Sequence, residues 1–285
     1  MKKSLIFISL MILSVASCAK NPTVRDDIKR SFNERVAMGN EEFKKGSLVS
    51  AKMFFDEALR NAYSIDDVYA QILVLINLGE VALAIDDVNG ASNNIFLARE
   101  IADKSGLEEH NFILNISFGK LHIRFNRIDL AKDYYYKALN TAKKDTERAV
   151  AYNNLGIVYS RDDAVQYEKA LEYLEKAMVI NLRGPAYDQL ADNYYNAGNV
   201  LFNMGRLQTA KENYEKALES DKITENSRGI IKDLRRLAST SLALGNRDDA
   251  LFYYERALRV ARSIRATGLV AEFIASVEMI KSEGD

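Results

Sequence analysis

Cysteine is almost absent from this chain of 285 residues: Cys18 stands alone, so no disulfide can form within it. Histidine is nearly as scarce. His110 and His122 are the only two, and they do not share a helical turn. A zinc site built on them would need ligands the sequence does not offer, so no metal and no cofactor is expected. Charge of one sign is missing as well. The 39 basic and 40 acidic residues nearly cancel, which leaves no concentrated basic footprint for nucleic acid. Beyond Val15 there is no long apolar run, and the domain that follows reads as soluble. Nor does the chain contain a G-x-S-x-G elbow, a G-x-x-x-x-G-K loop or an H-E-x-x-H pair. No catalytic residue can be named, and the chain reads as a non-enzyme.

What is present is a period. Ala51, Ala91, Ala131, Ala170, Ala210 and Ala250 follow one another at gaps of 40, 40, 39, 40 and 40 residues. Seven residues after each stands a second alanine (Ala58, Ala98, Ala138, Ala177, Ala217, Ala257). Between the two lies a large residue: Phe55, Ile95, Tyr135, Leu174, Tyr214 or Tyr254. Upstream of each first alanine comes a small residue, Gly39, Gly79, Gly119, Gly156, Gly198 or Ala238, with two extra residues around 161–165 in the fourth copy. Apolar positions at helical spacing run on both sides, for example Leu75, Leu78, Gly79 and Ala82. Short turns such as Gly205-Arg206 and Gly245-Asn246 separate the halves, where glycine or asparagine suits a left-handed helix end. Each unit is predicted to be a helical hairpin, with small residues where the backbones approach and the large residue filling the space beside them. A fixed period of this length marks a solenoid, in which each unit buries its apolar face against its neighbours. Turns this frequent argue against a long coiled coil.

These residues resemble the tetratricopeptide repeat family. The fullest match is 190–219, with Gly198, Gly205, Leu207, Ala210, Tyr214 and Lys216-Ala217-Leu218; Asn153-Asn154-Leu155-Gly156…Tyr159 and Phe54…Ala58-Leu59 follow. The resemblance implies an all-α, right-handed α-solenoid of six hairpins over 26–265 that serves as a binding scaffold. The period exceeds the usual spacing of about 34 residues, which implies a longer second helix in each hairpin. The helix-ending proline is missing from nearly every copy; only Pro185 stands near that place. A final amphipathic stretch, Leu269–Lys281, is predicted to cap the array within a segment 266–285.

The N-terminus reads as an address. Lys2 and Lys3 precede an apolar run, Leu5–Val15, too short to span a bilayer and typical of a signal peptide over 1–17. It closes on Val15-Ala16-Ser17-Cys18, which resembles the bacterial lipobox. The resemblance implies cleavage before Cys18, acylation of that residue, and a short tether over 18–25. Removing the leader leaves 37 basic and 40 acidic residues. Ala19, where aspartate would retain such a protein at the inner membrane, implies the periplasmic face of the outer membrane. An ordinary secretory peptide beside a chance cysteine is the alternative.

Two groups of residues could be mistaken for chemistry. Asp86-Asp87, Asp162-Asp163 and Asp248-Asp249 open second helices, where carboxylates are expected to cap backbone N–H groups. Neighbours on a helix point about 100° apart, so Tyr134-Tyr135-Tyr136, Tyr194-Tyr195 and Tyr253-Tyr254 form no single stacking face and each supplies core. The first helices should line a concave groove. Counting along them places Asn40, Phe43, Lys44, Ile76, Asn77, Glu80, Ile116, Lys120, Arg124, Asn153, Ile157, Arg161, Asp192, Tyr195, Phe202 and Ser239 there. Asn196, Asn199 and Asn203 recur on one face and could pair with an extended peptide backbone. Lys232, Arg235 and Arg236 on the next helix suit carboxylate. Asn196, Lys232 and Arg236 occupy places resembling part of the two-carboxylate clamp of chaperone-binding repeats, although Asn153 and Ile157 stand where that clamp has lysine and asparagine. The expected role is an envelope-anchored scaffold that holds a partner protein or peptide, or alternatively an accessory ligand-binding lipoprotein of a transport system.

Overall fold

The computed structural model describes residues 24–162 and 166–282. The leader, Cys18 and most of the tether lie outside these residues, as does Asp163. Thirteen α-helices follow one another, and there is no strand among the described residues. They pair as α1 (Val24–Lys45) with α2 (Leu48–Ser64), α3 (Val68–Ala84) with α4 (Val88–Ser105), and α5 (Asn111–Arg124) with α6 (Ile128–Thr141). The series continues with α7 (Asp145–Tyr159) and α8 (Tyr167–Asn181), α9 (Tyr187–Asn203) and α10 (Leu207–Ile223), and α11 (Ser227–Ala243) and α12 (Arg247–Ser263). A last helix, α13 (Thr267–Ser282), closes the series. The fold is an α-solenoid of helical hairpins.

The period has a simple composition. Helices α9, α10, α11 and α12 each have 17 residues, and three-residue turns at 204–206, 224–226, 244–246 and 264–266 join them and lead into α13. The expected lengthening of the second helix alone is therefore incorrect. From α3 onward the inner and outer helices of a hairpin match in length to within one residue, also where both are shorter, as in α5 and α6 with 14 residues each, whereas α1 has 22 residues against 17 in α2. Growth of one helix only would leave its apolar end without a partner, so the surplus is shared.

The turns repeat one geometry. Gly205 adopts φ of 74°, and the N–H of Arg206 bonds the Leu201 carbonyl at 2.9 Å, the six-to-one bond of a Schellman motif. Asp66, Asp86, Asn126, Glu225 and Arg265 take the same left-handed conformation without being glycine. Among the described residues of the aspartate pairs, Asp87 caps as expected, accepting from the N–H of Gly90 at 2.9 Å. Asp86 pairs instead with Arg124, Asp162 with Lys132, and Asp249 with Lys211 at 2.7 Å. These carboxylates cross between helices because their neighbours present a cation at the same turn.

All twelve periodic alanines are fully buried, and the large residues between them are buried with them. The reason is contact distance. A Cβ placed on Gly119 would stand 2.2 Å from the Tyr135 ring, and one on Gly198 would stand 2.6 Å from the Tyr214 ring. Gly39, Gly79 and Gly156 meet Phe55, Ile95 and Leu174 in the same way. Each inner helix thus accepts the large residue of its outer partner where a side chain is missing. On α13, Phe273, Val277 and Ile280 are buried against the preceding hairpin.

The array curls far enough to meet itself. Helix α1 touches α11. Lys44 reaches Asp188 of α9 at 2.8 Å, and the Arg228 guanidinium lies 4.5 Å from the centre of the Phe43 ring. Gly46, at the turn after α1, sits so close to Arg228 that a Cβ there would stand 2.8 Å from its Cγ.

Candidate functional site: the central cavity

Curling the solenoid encloses a cavity of about 940 Å³, to which all six inner helices and α13 contribute. Its apolar wall includes Phe43, Leu83, Ile123, Ile157, Ile231 and Leu269. Its charge is one-sided. Seven cations line it (Lys44, Lys120, Arg124, Arg161, Arg228, Lys232 and Arg235), against the carboxylates of Glu80, Asp188 and Asp192. A chain that is close to neutral overall therefore concentrates positive charge at its centre, where walls of low dielectric focus the field on an anionic ligand.

Several cations are already partnered. Lys120 bonds Glu80 at 2.8 and 2.9 Å, Lys232 stands 3.6 Å from Asp192, and Arg235 reaches Glu272 of α13 at 2.9 Å. Arg161 and Arg228 have no ion pair among the described residues. Burial pulls the Arg228 guanidinium below its ordinary pKa, with Asp192 acting the other way. Tyr135 also belongs to the lining, although it stands on the outer helix α6. Burial pushes its phenol pKa up, helped by Glu80 and opposed by Arg161.

Of the residues expected to form a binding groove, Lys232 and Arg235 line this cavity; Asn153, Asn196, Asn199, Asn203 and Arg236 do not. The asparagines are mostly committed to one another. Asn153 accepts from Asn196 at 3.0 Å and from Asn193 at 2.9 Å, and Asn193 in turn accepts from Asn181 at 2.8 Å. Asn199 accepts the Tyr214 hydroxyl at 2.9 Å. Asn203 is exposed at the end of α9, and Arg236 faces Tyr195 and Tyr214. Of the positions counted along the inner helices, Phe43, Lys44, Glu80, Lys120, Arg124, Ile157, Arg161 and Asp192 line the cavity; Asn40, Asn77, Tyr195, Phe202 and Ser239 do not, and Ile76 and Ile116 are buried in the core between helices. The count missed Arg228 and Asp188, which reach the cavity because the two ends of the array meet, and Tyr135, which arrives from the outer layer.

Behind the wall, the Asp233 side chain of α11 is wholly buried and faces Asp221 of α10. Burial first, and the neighbouring carboxylate second, push its pKa up to about 9. Asn226 secures Asp221 by donating to it at 2.8 Å, and also accepts from the N–H of Gly229 to cap α11.

The family profile described as tetratricopeptide repeat matches residues 147–223 and again 189–263. Residues 147–263 are tetratricopeptide repeats. Solved structures agree on the fold. A Rap protein complexed with Competence and Sporulation Factor is 16% identical with a TM-score of 0.63, covering 89% of this chain and 75% of its own. RapI in its apo form is 14% identical with a TM-score of 0.59, covering 91% and 72%. BtubC from P. vanneervenii is 18% identical with a TM-score of 0.55, covering 84% and 92%. No curated protein matches the chain significantly. The tetratricopeptide array is an interaction scaffold of a generally non-catalytic family.

Proposed function

We propose that this protein is a lipid-anchored scaffold of the bacterial cell envelope, which holds an acidic segment of a partner protein or peptide in its central cavity. The excess of positive charge on the cavity wall carries this reading. The similar Rap protein, solved with Competence and Sporulation Factor, is consistent with a ligand-holding array. Anchoring rests on the lipobox-like Val15-Ala16-Ser17-Cys18; two or three acyl chains hold a protein stably, since each buried methylene contributes roughly 0.8 kcal/mol. Ala19 favours the outer membrane, periplasmic face.

Crosslinking and pull-down from the native envelope test the scaffold. Wild-type protein should capture a partner that an Arg228→Glu variant releases, and equal capture by both would move the site away from the cavity. Replacing Cys18 by alanine should release the protein from the membrane fraction; persistence there would reject the anchor. A second reading, a solute-binding component, draws on the cavity volume of about 940 Å³, which falls in the small-molecule range. Native mass spectrometry would favour it through a co-purifying small molecule.

A further inference from the structure

Near their C-terminal ends the outer helices turn two positions to solvent, and the fourth hairpin fills them differently. Two and five residues after the second alanine, the other repeats place Arg60 and Tyr63, Glu100 and Asp103, Asn140 and Lys143, Glu219 and Lys222, and Arg259 and Arg262, all exposed. Helix α8 and its cap have Val179 and Leu182 there, 55% and 61% exposed. An aliphatic pair in place of polar side chains gains nothing in water, and exposed apolar patches rimmed by polar residues mark interaction surfaces. Beside Val179 lies a groove of about 420 Å³, with Tyr152 and Ile180 as further apolar walls and Glu172, Glu175 and Lys176 as polar ones. No residue of α8 or α12 lines the central cavity, so the groove is separate from it.

The same chain carries the complement. On α12 the corresponding stripe runs in the opposite order: Phe252, 54% exposed, comes first, and Arg256 and Arg259 follow about one and two turns later. Phe252 stands at the register position of Glu172, and Arg259 at that of Val179. Laid antiparallel with Phe252 against Val179, α12 sets Arg256 opposite Glu175, Arg259 opposite Glu172, and Glu255 opposite Lys176. Each of these juxtapositions is apolar on apolar or opposite in charge. Laid parallel in the same register, Glu255 would meet Glu175 and Arg256 would meet Lys176, like against like. Glu175 and Arg259 form no ion pair of their own among the described residues.

We propose that α12 of a second copy of this chain docks on α8, antiparallel, with the Phe252 ring in the groove beside Val179. The ring supplies the apolar anchor, and the two arginines fix register and polarity. The two stripes lie on different helices, so the contact is heterologous: each copy accepts one neighbour on α8 and offers α12 to another. A single helix pair falls below the about 1,200 Å² of a standard interface, so the association is weak and depends on concentration. The contact is independent of what the cavity holds.

Sedimentation velocity of the full chain in detergent, from about 1 μM to 1 mM, spans the range of weak contacts. Wild-type protein should grow in mass across that range. Glu172→Arg and Arg259→Glu, both exposed changes, should each raise the dissociation constant about 10-fold, because like charges then meet. Mixing these two variants in equal amounts should restore wild-type association, since each supplies the charge the other lacks. Phe252→Ser, which removes the anchor, should weaken association by about 10-fold or more. A wild type that stays monomeric overturns the contact and leaves the groove to a different chain. Association unchanged in either charge variant, or no recovery in their mixture, overturns it as well.

Discussion

The guanidinium of Arg228 stacks 4.5 Å above the Phe43 ring and joins the sixth repeat to the first. With Lys44–Asp188 at 2.8 Å, it is what makes the inner surface a cavity and not an open trough. A cation–π contact of this kind contributes about 0.5–1 kcal/mol at a partly exposed site, and the ion pair adds little in water.

Phe43→Ala should therefore loosen the closure without unfolding the array. Hydrogen exchange is the measurement: backbone amides of α1 should lose protection while those of α5 to α8 keep theirs. Unchanged exchange in α1 would mean that the hairpin with α2 holds it alone.

Gly119→Ala attacks the core instead. The added methyl would stand 2.2 Å from the Tyr135 ring, which is itself fully buried. Overpacking of this kind costs typically about 1–3 kcal/mol. Urea unfolding should show that loss, and shortening the ring as well, with Tyr135→Leu, should recover part of it. A neutral Gly119→Ala would show that the hairpin can spread.

Asp233 makes stability depend on pH. The groups facing it are Asp221 on α10, its chain neighbour Lys232, and Asp192 on α9. An acid whose folded pKa is raised binds its proton more tightly when folded. Stability is thus retained at low pH and falls as pH rises from about 4, the unfolded value, towards the folded value of about 9. Asp233→Asn removes the titration and keeps a donor for Asp221. It should stabilise the protein by about 1–3 kcal/mol at pH 7 and flatten the thermal stability profile between pH 4 and 9. A profile parallel to that of the wild type would remove Asp233 from the account.

The asparagine chain gives a fourth test. Asn193 is 1% exposed and links Asn181 to Asn153. Asn193→Leu leaves the Asn181 amide buried without its acceptor, at a cost of about 1–3 kcal/mol. Asn196→Ala, at the half-buried end of the chain, should cost less. If calorimetry finds the two alike, the asparagines act independently and not as a network.

The hairpins were legible because close backbone approach restricts residue choice: Gly119 and Ala131 must be small for Tyr135 to fit, and every repeat restates the rule. The equal helix lengths were not, since periodicity counts residues without saying where they lie. Asn196 and Asn199 were rightly placed on one helix, but spacing along α9 cannot show that Asn153 and Tyr214 claim them from other helices. The contact of Phe43 with Arg228 depends on twist accumulated over five repeats, which no local pattern records. The Tyr135 hydroxyl, buried without a hydrogen-bond partner, was readable in principle: aligning the repeats sets Lys120 against Asn199 and Ser239, which bond the hydroxyls of Tyr214 and Tyr254.

The repetition of paired helices makes the protein a gauge that counts. Each hairpin turns the axis by its own increment, and self-contact comes only when enough increments have accumulated to bring α11 round to α1. Copy number is then a functional parameter. Excising one whole repeat would preserve every local packing rule yet leave Phe43 and Arg228 facing solvent, with no enclosed space between them.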